Sequence, residues 1–110
     1  MTNEVKKKVL KLTLKKKWFD LMKLRDEKLR KKIEFRDPSD WIFSRLIDKN
    51  GDPKKYDLVE FKNGYGKNAP SFCCEFLGWD VEEEQTEYFF GSEKIITKAG
   101  TIKIFLGKVL

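Results

Sequence analysis

Short stretches of period-two alternation recur along this chain, and they constrain its fold more than any other feature. Leu10, Leu12 and Leu14 alternate with Lys11 and Thr13, residues 56–62 alternate through Val59 and Phe61, and Ile102, Ile104 and Leu106 repeat the pattern near the end. Successive strand side chains point to opposite faces, so each stretch reads as a half-buried strand. Residues 71–81 read as one long strand, bulged at Gly78. Residues 94–97 and 101–106, separated by Lys98-Ala99-Gly100, read as a hairpin with Ile102, Ile104 and Leu106 toward the core.

Two segments change period. Trp18, Leu21, Met22, Arg25 and Leu29 fall at helical spacings, which predicts an amphipathic helix over residues 15–29. Asp37-Pro38-Ser39-Asp40 supplies a cap, a proline at the first helical position and an acid in the first turn. A short second helix through Trp41, Ile42, Phe43, Leu46 and Ile47 then ends at Asn50-Gly51. Residues 63–70 are a Gly- and Asn-rich loop, and Glu82-Glu83-Glu84 reads as solvated. The expectation is an α+β chain: a small β-barrel of about five or six strands with two helices inserted after the first strand. Barrel closure removes exposed strand edges.

A chain of 110 residues makes one domain, here 1–110, with residues 1–8 read as a flexible basic tail. Its charged content of 38% and the lack of a long apolar run argue against a membrane span, and the start does not read as a secretory signal. A cytoplasmic monomer is expected. Cys73 and Cys74 are adjacent, so on a strand they face opposite ways, which disfavours a mutual disulfide. With no His in the chain, neither a metal site nor a cofactor is expected, and any catalysis falls to Lys, carboxylates, hydroxyls or Tyr.

Charge is distributed unevenly. Residues 1–36 carry 14 Lys/Arg against 5 Asp/Glu, a balance of +9, while residues 37–110 carry 10 against 13, a balance of −3. A local basic surface on an aromatic-rich domain favours a polyanion partner, because phosphate binding releases counterions. The densest mixture of charge and apolar residues is Arg30-Lys31-Lys32-Ile33-Glu34-Phe35-Arg36-Asp37. Alternation there puts Ile33 and Phe35 on an anchoring face and Lys32, Glu34 and Arg36 on a presented one, with the carboxylate held between two cations. Either a recognition edge or a surface ion-pair ladder fits that pattern.

The order of a first strand, Trp18-Phe19-Asp20, Lys31-Lys32-Ile33-Glu34-Phe35-Arg36, Trp41, Tyr56-Asp57-Leu58-Val59-Glu60-Phe61-Lys62-Asn63-Gly64 and Ile104-Phe105-Leu106-Gly107-Lys108-Val109-Leu110 resembles the ASCH domain family. That family belongs to the pseudouridine-synthase-and-archaeosine-transglycosylase (PUA)-like barrels. The resemblance runs through nearly the whole chain and is sharpest at Lys31-x-x-Glu34-x-Arg36. Residues 24–30 depart from it, being longer than the family's turn and lacking its Gly. It implies a cleft beside that strand for RNA or a modified nucleoside. Small ASCH amidohydrolases that act on acetylated cytidine use Lys, Thr and Glu. Lys31 matches the lysine, Glu34 stands in the threonine's place, and Glu75 is the loose counterpart of the glutamate, so the hydroxyl nucleophile is missing.

Binding asks less of these residues than catalysis does. Lys31, Lys32, Arg36 and Arg45 are candidates to meet phosphates, Trp41 or Tyr65 to stack on a base, and Lys67 to approach a phosphate beside Gly64 and Gly66. Trp41 reads more readily as core, because large aromatics dominate small cores, whereas Tyr65, between two glycines, is hard to bury. A small regulator that binds an acidic protein surface, such as a phage-type inhibitor of a host nucleoprotein, would use the same basic face. On this reading Glu34→Ala is expected to cost recognition more than stability.

Overall fold

A computed structural model describes residues 7–24 and 30–110. In chain order the elements are β1 (Val9–Thr13), α1 (Lys16–Met22), β2 (Ile33–Arg36), α2 (Asp40–Leu46), β3 (Leu58–Lys62), β4 (Ser71–Val81), β5 (Thr86–Phe90), β6 (Glu93–Thr97) and β7 (Ile102–Val109). Five strands form one mixed sheet in the order β1-β3-β4-β7-β2, and β5 and β6 form a separate hairpin. Only β1 and β3 run parallel within the sheet; its other pairs are antiparallel. The sheet curls into a half-barrel, giving a small α+β fold whose two helices lie at different points of the chain. One follows β1 and the other follows β2, so both come after the first strand, with β2 between them.

Curling originates in the long central pair. Across β4 and β7 the register slips twice, once beside Leu77 and once beside Gly107 and Lys108, and each extra residue tightens the local twist. Gly78, at φ +115°, takes the turn at the first slip as the sequence led us to expect. Gly107 is needed for a different reason: a Cβ there would lie 2.8 Å from the Cβ of Glu75.

The concave face is closed by α1 and α2. Leu10 and Leu12 from β1, Val59 and Phe61 from β3, and Ile104 and Leu106 from β7 are buried there with Phe19, Met22, Ile42 and Leu46 from the helices. Burial of a side chain such as Phe61 stabilises the fold by about 1.5–3 kcal/mol. Ser39 caps α2 by accepting a 3.2 Å bond from the Ile42 amide, so Pro38 precedes the cap and does not occupy the first helical position. The described part of α1 ends at Met22, with Lys23 as C-cap; Arg25 and Leu29, assigned to this helix from their spacing, lie outside the described residues. So do residues 1–6, while Lys8 is tied down by its backbone amide, which donates a 2.8 Å hydrogen bond to Asp57 Oδ2.

Two expectations about the strands are overturned. Residues 93–97 pair with β5 and not with the last strand, through the two-residue turn Gly91-Ser92. The faces of β2 are also reversed: Glu34 is buried opposite Ile104, while Ile33 and Phe35 are half-buried. Neither helix among the described residues is long and apolar enough to cross a membrane.

Cys73 and Cys74 point to opposite faces of β4, paired with Glu60 and Val59, and both are free thiols. Burial pushes the Cys74 thiol up to about 12. A thiol-directed reagent at pH 8 is therefore expected to modify half-buried Cys73 in the native protein and Cys74 only on unfolding, since thiolate is the reactive form. Equal native-state rates, read by mass spectrometry of peptides, would contradict this.

Candidate functional site

β1 and β2 are the two ends of the sheet, and the half-barrel is open between them. Arg36 bridges that seam, donating from Nη2 to the carbonyl of Thr13 at 2.6 Å. A cleft of about 740 Å³ occupies the seam, lined by Thr13 at the end of β1, by Leu14 and Lys15 after it, by Trp18 of α1, and by Lys31, Glu34, Phe35, Arg36 and Asp37. Asn63, Gly64 and Tyr65 of the β3–β4 loop and Ile95 of the hairpin complete it. That volume lies within the roughly 300–1,000 Å³ of small-molecule sites.

At its floor is an ion cluster. The Glu34 carboxylate, 5% exposed, receives Arg36 Nη2 at 2.7 Å and Nε at 2.9 Å on Oε2, and faces Lys31 Nζ at 3.5 Å on Oε1. The flanking cation is thus Lys31, where alternation pointed to Lys32. The reason is that β2 begins at Ile33, so Lys31 lies before the regular strand and reaches back along it, while Lys32 is exposed and its carbonyl accepts from the Leu106 amide.

Lys31 is 2% exposed, and burial lowers its pKa below the ordinary lysine value against the opposing pull of Glu34. Its ammonium lies 5.1 Å from the Phe35 ring centroid, 5.6 Å from Trp18 and 5.8 Å from Phe90, and it donates to the carbonyl of Ile33 at 2.5 Å. Aromatic faces and a carbonyl replace part of the lost hydration. Its amide donates to the carbonyl of Leu21, which fastens the segment to α1.

The hairpin forms one wall. Tyr88 and Phe90 pack on Phe35 with ring centroids 4.9 and 6.3 Å away, and Glu93 pairs with Lys17 of α1 at 3.0 Å. At the hairpin's base Glu82 is buried, receiving Lys103 Nζ at 2.8 Å and the Thr97 hydroxyl at 2.5 Å. The acidic run is therefore not uniformly solvated: Glu83 and Glu84 are exposed and Glu82 is a structural anchor.

On the opposite rim Tyr65 is 92% exposed on a loop whose base is closed by the Asn63 amide on the carbonyl of Pro70 at 2.9 Å. Gly64, at φ +109°, sets the direction of that loop.

Of the residues singled out from sequence, Lys31, Glu34, Arg36 and Tyr65 meet in this cleft. Trp41 is 49% exposed and lines a neighbouring hollow, with the Arg45 guanidinium over its ring at 5.2 Å. Ile42 and Leu46 occupy the core side of α2 instead. Lys32 and Lys67 are exposed outside the cleft lining. Glu75 is also outside it, on β4 opposite Leu58, where Oε1 accepts from the Lys108 amide at 2.8 Å. Sequence reasoning missed Trp18, Phe35 and Asn63 as cleft residues, because a helical stripe, an alternating Phe and a loop Asn each have an ordinary structural use.

Among the described residues no group of three or more His, Cys, Asp or Glu is placed to hold a metal ion. Comparisons with protein-family models, curated proteins and solved structures return no match to this chain.

Proposed function

We propose that this chain is an ASCH-like, PUA-type RNA- or nucleoside-binding domain whose ligand base enters the seam cleft beside Lys31-x-x-Glu34-x-Arg36. The observation that carries the reading is the company these residues keep: a buried Lys–Glu–Arg cluster lies in one cleft with the Trp18 and Phe35 rings and an exposed Tyr65. Aromatic faces take the flat surface of a base and fixed charges read its edge or meet its phosphate. An amidohydrolase is less well supported, because Glu34 is engaged by two cations and Glu75 lies away from the cleft.

The test is filter binding of short single-stranded RNA over a range of salt. Retention at low salt that weakens as salt rises is expected, and Tyr65→Ala, which disturbs no core contact, should weaken binding by about 1–3 kcal/mol. No retention of RNA at low salt, together with no binding of nucleosides by calorimetry, would overturn the proposal.

A further inference from the structure

A second hollow, of about 430 Å³, adjoins the cleft and shares Thr13, Arg36 and Tyr65 with it. Its remaining lining is Lys11, Leu12, Trp41, Glu60 and Lys62. The register explains the composition: Lys11 lies opposite Glu60 and Thr13 opposite Lys62 on the outward face of the parallel β1–β3 pair. Among the described residues neither Lys11 nor Lys62 forms an ion pair, so the hollow offers cations that the fold itself does not use. Trp41 presents an indole there, with Arg45 over the ring adding positive charge. Arg36, on the divide, spends Nε and Nη2 on Glu34 and Thr13. Its Nη1 donors remain for a ligand.

We infer that the ligand is a single strand of at least two nucleotides, with one base in the seam cleft, the next against Trp41, and the linking phosphate passing Arg36 and Tyr65 toward Lys11 and Lys62. This inference rests on the nucleic-acid reading above. A free nucleoside fills one hollow and leaves the indole and both lysines unused. A strand uses both, because successive bases stack on successive aromatic surfaces while cations follow the backbone. Glu60 lies opposite Lys11, so the phosphate reaches the two lysines from the Arg36 side of the hollow and not from the edge that this carboxylate occupies.

Calorimetric titration of the whole chain with ribonucleoside monophosphates and with the corresponding dinucleotides tests this. Dinucleotides are expected to bind about tenfold or more tighter than monophosphates, the gain of one stacked base. In Trp41→Ala, whose native circular dichroism checks folding, that ratio should fall to about one. Lys11→Gln/Lys62→Gln should flatten the salt dependence of dinucleotide binding. A ratio near one in the unaltered protein, or a ratio unchanged by Trp41→Ala, would overturn the two-site inference and leave the cleft reading standing. Binding of neither probe would overturn both.

Discussion

Glu34→Ala is expected to lower the unfolding free energy by about 3–5 kcal/mol, the usual consequence of removing one partner from a buried charge cluster. The loss leaves the Lys31 ammonium, 3% exposed at its side chain, with no carboxylate at 3.5 Å, and frees Arg36 from its two bonds to Oε2. In a domain of this size that corresponds to a fall in melting temperature on the order of 10–20 °C. The sequence alone pointed the other way, to a change in recognition with stability kept, because it placed Glu34 on a solvent face. The decisive comparison is the double variant Lys31→Met/Glu34→Leu, which removes both charges and should recover much of the loss as hydrophobic side chains of similar volume fill the site. Urea unfolding of Lys31→Met, Glu34→Leu and the double variant closes the cycle. A shift of only a degree or two in Glu34→Ala would mean that the cluster is an exposed ladder after all.

Why the faces of β2 were misread is instructive. The alternation of Ile33 and Phe35 with Glu34 and Arg36 is real and the strand is where it was expected, but alternation says only that two faces exist. It assigns the apolar one to the core on the assumption that the other meets water. Here both faces are covered: β5–β6 lies over Phe35, and the seam encloses Glu34 beside Lys31. The cover on Phe35 was itself partly legible, since Tyr88-Phe89-Phe90-Gly91-Ser92-Glu93 carries a two-residue turn between strand-forming residues. The turn at Lys98-Ala99-Gly100 competed with it. Its amides instead serve the end of β4, with Gly100 donating to the carbonyl of Glu82 and Glu82 donating to that of Thr101. Of the strands with ordinary one-sided burial, β4 was read to the residue and β3 began two residues later than its alternation suggested, and the exposure of Tyr65 followed from its glycine neighbours alone. The cleft required the sheet to stop short of closure, and no local pattern encodes the spacing of two strands that do not pair.

Glu82→Ala should release the hairpin from the sheet, and with it the wall of the cleft. The carboxylate joins three elements: it stands on the residue that follows β4, receives buried Thr97 of β6, and receives half-buried Lys103 of β7. Removing it leaves Lys103 without that partner and the Thr97 hydroxyl without its shorter bond, a loss expected at about 3 kcal/mol or more. Its pH signature separates this effect from simple loss of packing. Burial pushes the Glu82 carboxyl up, but hydrogen bonds from Lys103, Thr97 and Tyr88 outweigh it and hold the group below the usual glutamate value of 4.5. The unfolded chain therefore takes up this proton at a higher pH than the folded one. The stabilisation is complete above about pH 4.5 and disappears as pH falls through the lowered folded value. Lys103, raised above 10.5 chiefly by its bond to Glu82, keeps its contribution at neutral pH and loses it only as pH rises through that raised value. Stability curves of the unaltered protein and of Glu82→Ala should accordingly converge on acidification below pH 4.5 and run apart at pH 7. Amide hydrogen exchange of residues 86–97 at pH 7 should be faster in the variant, with β3 and β4 little changed, because the hairpin then rests on its outer contacts, among them Tyr88 and Phe90 on Phe35, Phe90 beside Lys31, and the Lys17–Glu93 pair. A constant offset at every pH, or exchange that rises equally across the sheet, would show that Glu82 supports the whole fold and not the docking of the wall. If the wall does loosen, Lys31 loses the Phe90 face at 5.8 Å and gains water, so ligand binding in the seam should weaken on acidification together with hairpin docking.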